Sequence, residues 1–419
     1  MLSPMFAGRT SLLAFLLLAA PRALVAQDPS LSKARRIDKL VVRYEKLGYL
    51  NGAILVADRG QVIYEKGVGY ANFSSHTPNT PRTRFDIASI TKQFAAALAL
   101  QQAAEGRVSL HAHVSDYLPW YRKDTGSRMT IEQLLHHTSG LPGDFDSPEF
   151  NATAVAAVHS EPEEFSKKFC QPALVSEPGT KWECSNCGYD LIGLILERVT
   201  GLAFDDLLHQ RLLDPLGMND TGMDRNDLAQ LGGATGYLRH AGPRYTIGPY
   251  MDRSHVFSAG GMYSTVEDLY KWNKALSSQE FFSKELRDQI FAPGLNNWAY
   301  GWFVTKIPTG QPGAGNTLAE TRGDMPENFF AWTLRYPERG AVIIVLRNVY
   351  GSTEGLEQNI QAILFDAEPR LPSRSAKDIA AQIWLAPARF ISANPVAGAA
   401  LALLIGAAIW LLLRRRRRV

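Results

Sequence analysis

The chain has 419 residues, 46% hydrophobic and 20% charged, an ordinary globular composition with ample material for a core. Its net charge of +3 belongs to the ends: without Arg9, Arg22 and the five arginines at 414–418, 37 basic residues face 41 acidic ones. The body therefore offers no basic footprint for nucleic acid, and no pattern in it calls for a cofactor.

Residues 1–26 read as a secretory signal peptide. One arginine precedes the apolar run LLAFLLLAA at 12–20, and small residues lead to Ala26. The run is short for a bilayer span, although an uncleaved anchor is the alternative. Residues 27–372 form the body. Apolar residues at Ile37, Leu40, Val41, Tyr44 and Leu47 recur with a helical period. GAILVADRGQVIYEKGVG at 52–69 reads as a hairpin turning at Asp58, Arg59 and Gly60. A helix is predicted over 86–105, stopped by Gly106. Helices and loops follow to about Leu276. Residues 297–307, 328–337 and 341–348 then read as strands, and 354–365 as a last helix. Strands at both ends with helices between them predict an α/β fold: a sheet interrupted by a large, mostly helical lobe.

A linker at 373–395 leads to 396–413, uncharged and long enough to reach about 27 Å as a helix. The basic tail at 414–419 follows directly. Clustered arginines stay on the cytoplasmic side. The expectation is a single-pass membrane protein with its body on the periplasmic side of the inner membrane. A tail of this composition also resembles bacterial sorting signals that are cut off.

Chemistry concentrates at Ser89 and Lys92. Three residues apart on a helix, they share a face, and an amine beside a hydroxyl can act as its base. A helix start also offers N–H groups to a developing oxyanion. Alone, S-x-x-K arises often by chance, and both residues could be ordinary helix positions. Longer stretches add weight: FDIASITKQF (85–94), TIEQLLHHTSGLP (130–142), EPGTKWECSNCGYDLIG (177–193), PLGMNDTGM (215–223), SAGGMYSTVEDLYKW (258–272) and PERGAVIIVLRN (337–348). In this order they resemble the penicillin-recognising serine hydrolases: class C β-lactamases, D-alanyl-D-alanine carboxypeptidases and related esterases.

The resemblance implies an antiparallel sheet flanked by terminal helices, and an acyl-enzyme on Ser89. It makes Lys92 the base and gives Asn186 the task of orienting the lysine and the substrate. It implies a small-molecule or peptidoglycan-like substrate. It also exposes two departures. The second motif, normally Tyr-x-Asn, is here Cys184-Ser185-Asn186, so the phenol that shuttles the proton is missing. The third, normally Lys-Thr-Gly or His-x-Gly on a strand, falls near Thr321, Arg322 and Gly323 or one to three residues later. Arg322 is the cation nearby, and it could replace the lost charge for a carboxylate substrate. A thiol can serve as an acid or base, but it ends far short of a phenol oxygen. These losses leave a second reading open, a catalytically impaired binding or regulatory ectodomain.

Cys170, Cys184 and Cys187 allow three pairings, each leaving one thiol over, and an exported chain favours one disulfide. His136 and His137 are adjacent, so they do not converge on one metal ion, and no metal site is expected.

Overall fold

The structure, a computed structural model, describes residues 29–143, 158–239, 245–325, 327–351 and 355–373. The expected signal peptide, the linker beyond residue 373, the membrane segment and the basic tail lie outside the described residues. Among the described residues no helix is long and apolar enough to cross a membrane.

The main sheet has six antiparallel strands, numbered here on their own. They are β1 (Gly52–Asp58), β2 (Gln61–Val68), β3 (Phe303–Lys306), β4 (Thr317–Met325), β5 (Phe329–Tyr336) and β6 (Ala341–Arg347), in the spatial order β3-β4-β5-β6-β1-β2. The first and last parts of the chain thus meet at the β1–β6 pair, where Gly52 faces Arg347 and Ala57 faces Val342. Both strands are buried along their whole length. They are sandwiched, and so their sequences are apolar runs rather than alternations.

Helix α1 (Pro29–Leu47) and the last helix (Leu356–Leu364) cover one face of the sheet. Ile54, Val56, Leu334, Ile343 and Val345 pack there against Ile37, Val41 and Ile360. The opposite face meets the helical lobe and a larger core, built on α2 (Thr91–Ala104) and α3 (Asn186–Thr200). Helix α2 is buried on all sides over most of its length, with eleven buried residues, as befits a helix through the middle of a lobe. The α/β architecture with an inserted helical lobe is therefore as expected.

Two elements differ from the sequence reading. The predicted helix over 86–105 begins five residues late. Phe85 and Asp86 pair with Ser264 and Tyr263 of a short strand, and Ala88–Ile90 is a 3-10 turn. Pairing with residues 175 positions or more downstream captures the segment before helix can form. β3 is also shorter than the 297–307 reading, because Gly301 takes φ +84 and breaks the extended run.

Candidate active site

The segment before Ser89 is bent sharply. Ala88 adopts φ +43, a left-handed conformation that is uncommon for a residue with a Cβ. Asp86 secures it by accepting the Ala88 N–H at 2.8 Å, while the Ile87 N–H donates to the Met262 carbonyl. The turn leaves Ser89 partly exposed between buried neighbours, immediately before α2.

Lys92, one turn on, is 1% exposed. Its amine lies 2.9 Å from Ser89 Oγ, 2.7 Å from Asn186 Oδ1 and 2.8 Å from the Ala259 carbonyl. Asn186 and Ala259 each accept an N–H from the amine, which also donates to the serine hydroxyl. On losing a proton, an amine held at this distance can accept the proton of that hydroxyl. The sequence-predicted Ser89, Lys92 and Asn186 are thus brought together.

The supports for this cluster come from the same motif-bearing stretches of the chain. Ala259 is held by Asp190, whose carboxylate accepts its N–H at 3.1 Å. Ser258 donates to the Tyr189 carbonyl at 2.9 Å. Gly193 makes this approach possible, since a Cβ there would lie 2.1 Å from Ser258 Oγ. Asn186 opens α3, and His137 fixes the chain leading into it. The His137 carbonyl accepts the Glu183 N–H at 2.8 Å, and its Nδ1 accepts the Ser185 N–H at 3.2 Å. That bond requires the tautomer protonated on Nε2. Burial, and then the charge of Lys92, hold His137 well below the usual histidine range. It is a neutral positioning residue. The signal in the sequence was the HHTSGLP stretch, whose geometry only the fold reveals.

Beneath the turn, Asp86 is buried, with Arg253 Nε at 2.8 Å and Arg253 also 3.3 Å from Asp224. Burial pushes the Asp86 carboxyl up to about 6, against the pull of Arg253. Tyr189 lies under the Lys92 amine, with its ring centre 5.6 Å away. Its hydroxyl donates to the Leu135 carbonyl, and burial pushes it far above the ordinary phenol range.

β4 closes the other side. A Cβ on Gly323 would fall 2.0 Å from the Ile87 carbonyl oxygen and 3.2 Å from Ala88 Cβ, so the strand touches the nucleophile turn where only glycine fits. This contact sets the Thr321-Arg322-Gly323 stretch of β4 against the turn before Ser89. Strand alternation then puts Thr321, which is buried, on the same face as Gly323. Its hydroxyl donates to the Gly301 carbonyl at 2.6 Å. Arg322 falls on the opposite face, exposed, with its guanidinium 4.4 Å from the Trp332 ring centre. The expectation that Arg322 could supply charge to the substrate is corrected: the two-residue period of the strand turns it away.

The Beta-lactamase family model matches residues 37–368. Protein flp of Staphylococcus aureus strain N315 is 30% identical over 327 residues, 75% of this chain and 63% of that protein. The chain thus spans less than two thirds of that relative's length. A penicillin binding protein from Bacillus halodurans superposes with a TM-score of 0.67 at 25% identity, over 77% of this chain and 98% of that one. The D-amino acid amidase from Ochrobactrum anthropi SV3 shares the fold, with a TM-score of 0.65 at 23% identity over 80% and 97% of the two chains.

The chain belongs to the beta-lactamase family of serine hydrolases.

Cys184 stands two residues before Asn186, and Thr321 two residues before Gly323. Cys184 is exposed and takes no part in the disulfide, which joins Cys170 to Cys187 across a Cα–Cα distance of 5.2 Å. That bond ties the residue after helix Pro162–Phe169 to the residue after Asn186. Among the described residues no group of three or more His, Cys, Asp or Glu is arranged to hold a metal ion.

Proposed function

We propose that this protein is a serine hydrolase acting on uncharged, activated esters through an acyl-enzyme on Ser89. The observation that carries the reading is the Lys92 amine, set at hydrogen-bond distance from Ser89 Oγ by two fixed acceptors. Lys92 takes the serine proton as Oγ attacks the carbonyl carbon, and Asn186 holds the amine and the acyl group. The alcohol or phenol leaves with a proton, and water then releases the acid. The Ser89 N–H and the β4 backbone beside Gly323 are the donors available to the oxyanion.

Substrate class follows from the two departures. Without a phenol at position 184, protonating an amine leaving group is hard, whereas an aryl oxide leaves readily. Without a cation at position 321, a substrate carboxylate meets only a hydroxyl that is already committed to Gly301. Both features favour neutral esters over penicillins and peptides. The body is proposed to stand outside the cytoplasm, anchored by residues 396–413. The leader, the arginines at 414–418 and the Cys170–Cys187 disulfide support this placement.

A fluorophosphonate probe and an aryl ester test the reading. Wild-type protein is expected to label and turn over. Ser89→Ala and Lys92→Ala are expected to do neither, and penicillin turnover to be slower by roughly a hundredfold or more. Absence of Ser89-dependent labelling in folded protein would favour a binding or regulatory ectodomain. Comparable turnover of penicillin would overturn the preference for esters.

A further inference from the structure

We propose a second ligand site, for an organic carboxylate with an apolar body, in a cavity at the far end of β4. The cavity holds about 760 Å³, within the range of small-molecule sites. Leu276, Phe291, Pro293, Val304, Ala319 and Pro337 give it apolar walls. Ala319 lies four residues before Gly323, roughly 13 Å along the strand, so the cavity is separate from the Ser89 site.

Two arginines face into it. Arg335 stands on β5 opposite Ala319 of β4 and is 4% exposed. Its Nη2 donates to Ser277 Oγ at 2.8 Å, while its Nε and Nη1 are buried without a partner among the described residues. Arg287 donates through Nη1 to the Ser277 carbonyl at 3.3 Å, and its Nε is likewise buried without a partner. Phe291 and Trp302 present ring faces to Arg335, with centres at 4.6 and 5.9 Å. Ring faces attract the cation but leave the in-plane N–H groups without acceptors. The acid at the cavity, Asp288, is engaged by Lys284, and Lys306 at the rim is engaged by Glu338. Burial, and then repulsion from Arg287, lower Arg335 to about 10. Two like charges sharing an apolar pocket with unused donors are the complement of an anion, and guanidinium geometry suits a carboxylate.

Walls of this kind favour an aromatic or branched body over a bare inorganic anion. Benzoate, acetate and inorganic phosphate separate the cases, with the melting temperature of the full chain in detergent as readout. Ser89→Ala serves as the background, so the outcome does not depend on turnover. Benzoate at millimolar concentration is expected to raise the melting temperature, and acetate and phosphate much less. Arg335→Met and Arg287→Gln are each expected to weaken the benzoate response roughly tenfold. Arg287 is half-buried on a helix, and its variant keeps the test open if Arg335→Met does not fold. No stabilisation by benzoate, or the same stabilisation in both variants, would overturn the site. Phosphate matching benzoate would overturn the apolar component.

Discussion

At the scale of single residues, the site depends on groups whose environment fixes their charge. Asp86 is the clearest. Burial holds its folded carboxyl up at about 6, above its ordinary value of 3.8, so the folded state keeps a proton that the unfolded chain has released. This contribution to stability is fully present below pH 4 and is lost as pH rises through 6, a change of about 3 kcal/mol. His137 acts with the opposite sign. Its folded pKa is depressed, so its contribution fades as pH falls below the unfolded value near ~6.5. Comparing wild-type protein with Asp86→Asn isolates the first effect. Denaturant unfolding at pH 4.5 and 6.5 is expected to show wild-type stability falling more between the two than that of Asp86→Asn. Equal changes would show that the carboxyl is not perturbed. Asn at this position can still accept the Ala88 N–H, so the strained turn is expected to persist.

At the scale of elements, the decisive contact is that of β4 with the turn before Ser89. Both partners at Gly323 are main chain or a Cβ, so neither can swing aside. Gly323→Ala is expected to push the strand away, destabilise the protein by about 1–3 kcal/mol and slow fluorophosphonate labelling of Ser89 roughly a hundredfold. Normal labelling in Gly323→Ala would mean that the close approach does not matter to the site. A second device is the entry to α3. The Cys170–Cys187 bond closes a loop across a separation of 17 residues, a constraint worth about 3 kcal/mol. The double variant Cys170→Ala/Cys187→Ala is expected to lose about that much stability in denaturant unfolding, while Cys184→Ser loses little. Alkylation of denatured, unreduced protein is expected to mark Cys184 alone, and three marked thiols would exclude the bond.

At the scale of the whole molecule, the sheet joins chain ends that are about 290 residues apart through the β1–β6 pair, and the helical lobe hangs from it as an insertion. The active site lies where sheet and lobe meet. Ser89 comes from the 3-10 turn before α2, Lys92 from the first turn of α2, Asn186 from α3, the Ala259 carbonyl from a later turn and Gly323 from the sheet. The proposed anchor would hold this body beside the membrane. Protease added after the outer membrane is opened is expected to degrade the body in otherwise intact cells. A body protected there would place it on the other side of the inner membrane.

Much of this was legible in the sequence. Apolar runs at 52–57 and 341–347 marked buried strands, and the Ser89 to Lys92 spacing marked a shared face, because these depend on local periodicity alone. β4 was not legible that way. In TLAETRGDM the buried face carries small or polar residues, Ala319, Thr321 and Gly323, against Glu320, Arg322 and Asp324 on the other, so its alternation has little apolar signal. Only the motif resemblance pointed to it, and the register stayed open. The cysteine pairing, the role of His137 and the direction of Arg322 were equally out of reach. Each depends on which distant segment lies opposite, a choice made by packing across the whole fold. The sequence by itself determined the sheet and the lobe, and it marked Ser89, Lys92 and Asn186 as the candidate residues. Tertiary structure decided which side chains face Ser89, because facing requires the far strand and its two-residue alternation to be in place.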